Sequence, residues 1–195
     1  MRTQQLIYLH GFRSSPRSAK ALRMAEWVGQ HRPDLRFECP QLPPSPAAAM
    51  ALIEQLTHGW PADSSAVIGS SLGGFYATAL AEKLGCRAVL LNPAVDPARD
   101  LANYIGEQTC WQDPSEHFFF RPEFVDELRA LAPPTALTEV QRYFAILAKG
   151  DEVLDWREML GRYAECKVLL LEGGDHGLSD FDTHLPALID FLELG

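Results

Sequence analysis

Six short apolar-rich runs, at 6–9, 35–39, 66–68, 88–91, 144–148 and 168–171, alternate with longer helical patterns along this chain. Most of these runs are close to continuously aliphatic, which marks strands covered on both faces. Covering both faces of a sheet takes helices, and the intervening segments supply them. Residues 18–31 put Ala21, Leu22, Ala25 and Val28 on one stripe behind Ser18 as an N-cap. Ser45 and Pro46 have N-cap and N1 character ahead of a helix over 47–56. Further helices are expected over 72–84, over 156–163 with Asp155 as the cap, and over 185–194. The fold class that follows is α/β, a mostly parallel sheet of about six strands flanked by helices. With 195 residues, 47% of them hydrophobic, the chain is long enough for one well-packed domain over 1–195.

Between residues 93 and 142 the rhythm breaks. No strand is apparent there, and the composition turns aromatic and acidic, with Tyr104, Trp111, His117, Phe118, Phe119, Phe120 and Phe124. So long a stretch is not a plain connection in a compact domain. It is expected to be an inserted helical cap, or lid, over the strand ends. The alternative is an irregular excursion that packs its aromatics into an extended core.

A net charge of −9, from 17 Lys and Arg against 26 Asp and Glu, argues against DNA or RNA as a partner. Arg13, Arg17, Lys20 and Arg23 form a local basic cluster, readable as a solvated helix face and loop or as a contact for an anionic substrate group. The four cysteines, Cys39, Cys86, Cys110 and Cys166, lie far apart with no C-x-x-C, so no zinc site is expected. Cys39 and Cys166, at the ends of apolar runs, read as small buried fillers. The first residues lead into a short apolar run that is not a signal peptide. No stretch approaches the roughly 20 apolar residues that cross a bilayer. A reduced, cytoplasmic location without a membrane span is the expectation.

The third run leads into chemistry. Ala66-Val67-Ile68 enters Gly69-Ser70-Ser71-Leu72-Gly73, which continues as Gly74-Phe75-Tyr76-Ala77. Strand, sharp turn and helix in that order hold a serine in a strained backbone conformation, with Oγ projecting from the end of the sheet. Glycines stand two residues before and after it because a Cβ there would clash. The register selects Ser71, since centring on Ser70 would require glycines where Ile68 and Leu72 stand. A bare G-x-S-x-G arises by chance in about one chain in 20 of this length. Its position at a strand-to-helix junction gives it weight.

A serine hydroxyl needs a base within hydrogen-bond reach, itself held by a carboxylate. In parallel sheets such groups gather at the carboxyl ends of strands. After the run ending at Ala148 comes Lys149-Gly150-Asp151-Glu152, and after the run ending at Leu171 comes Glu172-Gly173-Gly174-Asp175-His176-Gly177. The chain order Ser, Asp, His belongs to one particular serine-hydrolase architecture. His176, in its glycine-flanked loop, is the candidate base. His31 and His58 lie at helix ends, His117 in the cap section, and His184 near the start of the last helix in an expected exposed role. Asp151 is the candidate acid, with Glu152 and Asp155 in reserve; Asp155 makes sense as a helix cap, and Asp175 adjoins the histidine too closely to orient it. Acyl transfer also needs oxyanion donors, each worth about 3 kcal/mol. The backbone N–H groups of Leu72, at the helix start, and of Phe12, in the loop His10-Gly11-Phe12, are the candidates. His10 then reads as a structural residue bonding within that loop.

Further motifs accompany these: Tyr8-Leu9-His10-Gly11-Phe12, Ser14-Ser15-Pro16-Arg17-Ser18-Ala19-Lys20-Ala21, Pro40-Gln41-Leu42-Pro43-Pro44, Gly69-Ser70-Ser71-Leu72-Gly73-Gly74, Asn92-Pro93-Ala94-Val95, Gly150-Asp151-Glu152-Val153-Leu154-Asp155 and Gly173-Gly174-x-His176. Through them, over nearly its whole length, the chain resembles the α/β-hydrolases, and among them the small bacterial YqiA-type esterases of the UPF0227 group. The resemblance implies hydrolysis of carboxylic esters, extending to acyl-thioesters such as acyl-CoA, with no cofactor. It also implies Ser71 as nucleophile, Asp151 as acid and His176 as base. Two other readings stay open at this point: a non-catalytic binding module that kept the fold, and an amidase or thioesterase using the same site.

Overall fold

The computed structural model describes residues 2–195. Its elements run, in chain order, β1 (Gln5–Leu9), α1 (Ala19–His31), β2 (Arg36–Glu38), α2 (Pro46–Leu56), β3 (Ser65–Ser70), α3 (Leu72–Leu84), β4 (Arg87–Leu91), α4 (Pro97–Leu101), β5 (Gly106–Thr109), β6 (His117–Phe120), α5 (Pro122–Ala130), β7 (Tyr143–Ala148), α6 (Trp156–Tyr163), β8 (Lys167–Leu171) and α7 (Phe181–Phe191). Six strands make one sheet in the order β2-β1-β3-β4-β7-β8, every neighbouring pair parallel. The order reverses at β1: the chain leaves it toward β2 on one side, then returns through β3 toward β4 on the other. Such a switch point opens a crevice beyond the strand ends where ligands bind. Here it lies past Leu9 of β1 and its register partner Gly69 of β3.

The near-continuous apolar runs serve two cores. Leu6 and Tyr8 of β1 and Ile68 of β3 pack with Met24 of α1 and Leu188 of α7 on one face. Ile7, Leu9 and Val67 pack with Ile53 of α2, Phe75 of α3 and Met159 of α6 on the other. Each fully buried aliphatic side chain contributes about 1.5–3 kcal/mol, so two-sided burial outweighs the weak local propensity of such short strands. Every residue of β3 and β7 is buried. α3, lying against β1, β3 and β4, is buried through most of its length.

The stretch between β4 and β7 departs from the expectation that it holds no strand. Beside α4 and α5 it contains an antiparallel hairpin, β5 with β6, in which Gly106 faces Phe120 and Thr109 faces His117. β5 reads Gly-Glu-Gln-Thr and carries no apolar signal of its own; its partner strand makes it a strand. Along β6 the aromatic run divides by the strand period, with Phe120 buried and Phe119 exposed. Phe118, Phe120 and Tyr104 meet the ring of Phe12 edge-on at 5.8, 5.3 and 5.7 Å, which anchors the insertion to the loop after β1.

The last helix also differs from expectation, starting at Phe181 instead of Leu185 and running through Pro186. Its buried residues Phe181, His184, Leu185 and Leu188 fall at helical spacing, and that stripe outweighs the hydrogen bond lost at the proline. His184 is therefore buried, against the exposed role expected of it, and its Nε2 lies 3.0 Å from Oδ2 of Asp180. Cys39 and Cys166 are half-buried, while Cys86 and Cys110 are the buried pair.

A buried guanidinium ties the two chain ends together. Arg32, 2% exposed, donates to the carbonyls of Leu194 (3.0 Å) and Thr3 (3.1 Å) and to both carboxylate oxygens of Asp34 (2.9 and 2.8 Å). Arg32→Met keeps the aliphatic stem and strands those two carbonyls. We expect a loss of about 3 kcal/mol from charged-donor hydrogen bonds, read as a fall in Tm on the order of 10 °C.

Candidate active site

β3 delivers Ser71 to the switch point in a conformation few L-residues adopt, φ 55° and ψ −121°. A Cβ at Gly69 would stand 2.2 Å from the Gly73 carbonyl oxygen, and one at Gly73 would stand 2.0 Å from that of Leu9. No other residue type fits the turn. The strain is held in place from β4: Ser71 N–H donates to the Leu91 carbonyl at 3.0 Å, and the Ser71 carbonyl accepts from Gly74 (2.8 Å) and Ala94 (3.0 Å).

The loops after β7 and β8 bring Asp151 and His176 to the same serine. His176 Nε2 lies 3.0 Å from Ser71 Oγ, and Nδ1 lies 2.7 Å from Asp151 Oδ2. A carboxylate only accepts, so Nδ1 carries the proton and Nε2 is free to accept from the serine hydroxyl. The Asp151 side chain is fully buried, and its other oxygen accepts from the backbone N–H groups of Val153 and Leu154, both at 2.8 Å. Three donors therefore hold the carboxylate in one orientation. The three side chains that the sequence analysis singled out, 105 residues apart at the widest, meet at one rim of the sheet.

The reserve acids have other partners. Asp155 caps α6 by accepting from Arg157 N–H at 2.9 Å. Glu152 accepts from the backbone N–H of His176 at 3.0 Å and so holds the loop, not the ring. Asp175 accepts from Ser179 N–H at 2.9 Å and bonds its hydroxyl. His31 and His117 bond elsewhere, to the Trp27 carbonyl and to Glu107.

Gly11 brings the loop after β1 against the elbow, where a Cβ would stand 3.1 Å from that of Ser71. The backbone N–H groups of Phe12 and Leu72 make no hydrogen bond among the described residues. His10 is buried and bonds within and beyond this loop. Leu42 N–H donates to its Nε2 at 3.0 Å, so Nδ1 carries the proton and donates to the Gly11 carbonyl at 2.9 Å. Burial pulls its imidazole below the ordinary value, with the Gly11 contact opposing. A depressed histidine gives stability that is full above its unfolded value and is lost as pH falls through the folded one. We expect the Tm to decline on acidification below about pH 6.5, and to decline less in His10→Gln, by scanning calorimetry across that range.

One positioning residue escaped the sequence analysis. Asn92, at the end of β4, is fully buried with φ 41°. Its amide donates to the carbonyls of Asp175 (3.0 Å) and His176 (3.2 Å), and its Oδ1 accepts from Ala148 N–H at 2.8 Å. It thus ties the histidine loop to the strand that carries the acid. The same strand-end rule that singled out Asp151 and His176 pointed at it too.

Two clefts border Ser71 and His176. The larger, about 890 Å³, runs beneath the insertion and is lined by Phe12, Leu72, Leu101, Tyr104, Val153 and Leu154 among others. The smaller, about 520 Å³, opens beside the first turn of α1. The basic cluster divides between structural and site roles. The Arg13 guanidinium lies 4.0 Å over the Trp111 ring and donates to Thr109, and Arg17 pairs with Glu116 at 3.2 Å; both brace the insertion. Lys20 instead donates to the carbonyl of Gly177, next to His176.

A six-stranded parallel sheet in this order, with these residues on the loops after β3, β7 and β8, is an α/β-hydrolase fold. A putative hydrolase from Agrobacterium vitis S4 is similar to it, with a TM-score of 0.75 at 18% identity over 99% of this chain and 91% of that one. The mouse alpha/beta hydrolase domain-containing protein 10 is similar as well, at 0.73 and 16% over 98% and 91%. The chain belongs to the uncharacterised protein family UPF0227, whose sequence model matches residues 5–193. A UPF0227 protein of Yersinia pseudotuberculosis (serotype O:1b, strain IP 31758) is 24% identical over 195 residues, covering 97% of this chain and 99% of its own. No helix among the described residues is long and apolar enough to cross a membrane.

Proposed function

We propose that this protein is a serine hydrolase that cleaves carboxylic esters through an acyl-enzyme. The observation that carries the reading is the unbroken chain from Asp151 through His176 to Ser71, at 2.7 and 3.0 Å, on a turn strained at the serine. Ser71 Oγ attacks the ester carbonyl carbon as His176 Nε2 takes its proton. The carbonyl oxygen becomes an oxyanion held by the N–H groups of Phe12 and Leu72, which have no competing partner among the described residues. The carbon–oxygen bond to the alcohol then breaks, and His176 returns the proton to that leaving oxygen. Water, deprotonated by the same imidazole, releases the acid and restores Ser71. Asp151 keeps the imidazole in the tautomer that both halves need.

A binding module that merely kept the fold has no use for a serine under backbone strain. Strain of this kind persists where a site requires it. The side chains of Leu101, Tyr104, Val153 and Leu154 on the wall of the larger cleft, which also carries Arg13, Asp100, Asn103 and Glu152, support a hydrocarbon acyl group there, with the insertion over 93–142 serving as its lid. The four cysteines are free, which suits work in the reducing cytoplasm. A fluorophosphonate probe should form an adduct on Ser71, and para-nitrophenyl butyrate should be turned over. Absence of both adduct and turnover in folded protein would return the chain to the binding-module class.

A further inference from the structure

The smaller cleft collects hydrogen-bond donors that the reaction just described leaves unused. The Tyr8 side chain is fully buried and lines it, yet its hydroxyl has no hydrogen-bond partner among the described residues. The hydroxyls of Ser18 and Ser70 are polar neighbours that oppose the rise burial imposes on its pKa, but they do not reach it in hydrogen-bond geometry. Buried hydroxyls are almost always paired, so an unpaired one facing a cleft points to a ligand group. The first turn of α1 borders the same space through Ser18, Ala19 and Lys20. Its N-cap Ser18 makes no side-chain capping bond, and no acidic residue stands in that turn. The opening N–H groups of a 13-residue helix, with its partial positive charge, are thus left without an internal acceptor.

Lys20 is the third donor. It bonds the Gly177 carbonyl and makes no ion pair among the described residues, whereas Arg23 at the rim is already paired with Asp182. Burial pulls its ammonium down to about 8, against the pull of Asp175 and Asp151. A half-buried cation, an uncapped helix start and an orphaned hydroxyl line one cleft, where a single acceptor with several oxygens would satisfy all three.

We propose that this cleft is a subsite for a carboxylate or phosphate carried on the alcohol half of the ester, bound by the Tyr8 hydroxyl, the first-turn amides of α1 and Lys20. The assignment rests on the serine-hydrolase reading, since it takes Ser71 as the point where the two clefts join. The alcohol half follows if the acyl chain lies against Leu101, Tyr104, Val153 and Leu154 in the larger cleft, which leaves the donors of this one to the leaving group. The substrate class is then an ester of an apolar acid with an anionic alcohol.

The test compares butyrate esters of three phenols: para-hydroxybenzoate, para-hydroxyphenyl phosphate and the neutral para-hydroxybenzamide. We expect kcat/KM for at least one anionic ester to exceed that of the amide about tenfold, mostly through KM. Whichever anionic ester is preferred identifies carboxylate or phosphate as the recognised group. Tyr8→Phe, which keeps the ring, and Lys20→Met should each cut the anionic-to-neutral ratio about fivefold; a ratio cancels any effect on the shared chemistry. Equal turnover of all three esters overturns the subsite, as does a preference that survives both variants. Calorimetric titration of wild type and Tyr8→Phe with phenyl phosphate and with benzoate reads the subsite without turnover. A protein that hydrolyses none of the esters but binds one of these anions through Tyr8 retains the subsite and loses the hydrolase reading. Binding of neither, or equal binding by both proteins, removes the subsite alone.

Discussion

Ser71→Ala is expected to abolish ester hydrolysis while leaving the fold intact, with kcat lower by about four to six orders of magnitude. The remaining catalysis would come from the oxyanion donors and from binding. Ser71→Gly should be equally inactive but more stable than Ser71→Ala. Both variants lose Oγ and its contact with His176, so their difference reports the backbone alone. Ser71 sits at φ 55° and ψ −121°, a conformation that costs a residue with a Cβ about 1–3 kcal/mol. Glycine escapes most of that cost but gives back about 0.5–1 kcal/mol in unfolded-state entropy. The net gain is about 1 kcal/mol, a rise of about 2–4 °C in Tm for a chain of this size. Equal melting temperatures would mean that the turn stores no strain at the serine. Undiminished turnover by Ser71→Ala would remove the nucleophile from the proposal.

Features legible in the sequence are those whose cause is local or repeats along the chain. Continuous apolar runs specify strands covered on both faces, and five of the six sheet strands were readable on that ground; β2, Arg-Phe-Glu at the sheet edge, is half-exposed. The elbow was readable because the close approach of Gly69, Gly73 and Leu9 leaves no room for a Cβ. Asp151 and His176 followed from the rule that groups at strand ends converge. What was not legible depends on a partner distant in sequence. β5 is a strand only opposite β6. Arg13 and Arg17 look like a cationic face until the aromatic and acidic residues of the insertion, about a hundred positions on, fold against them. Asn92 stands where the strand-end rule points, but only the assembled sheet brings the two loop carbonyls and the Ala148 amide that define its role. Pro186 argues locally for a later helix start, yet the buried stripe from Phe181 to Leu188 overrides it.

Asp151→Asn is expected to cost about 10⁴ in kcat with KM little changed, and it separates the candidate acids. The asparagine is isosteric, and its carbonyl can still accept from Val153 and Leu154, which bond Oδ1 in the native side chain. Its NH₂ group then faces His176 Nδ1, where the native carboxylate accepts at 2.7 Å. Two N–H donors cannot share that contact, so the imidazole moves its proton to Nε2. In that tautomer Nε2 would donate toward Ser71 Oγ and could no longer take the serine proton. The base is lost although every atom stays in place. Asp155→Asn should leave kcat within about twofold, because Asp155 serves the α6 terminus and asparagine caps nearly as well. Glu152→Gln keeps an acceptor for the His176 backbone N–H, so a loss of about tenfold or less is expected there. If Asp155→Asn or Glu152→Gln proved the severe variant and Asp151→Asn the mild one, the imidazole would have to take its orientation from a different carboxylate in solution. The 2.7 Å contact would then describe a resting arrangement and not the working one.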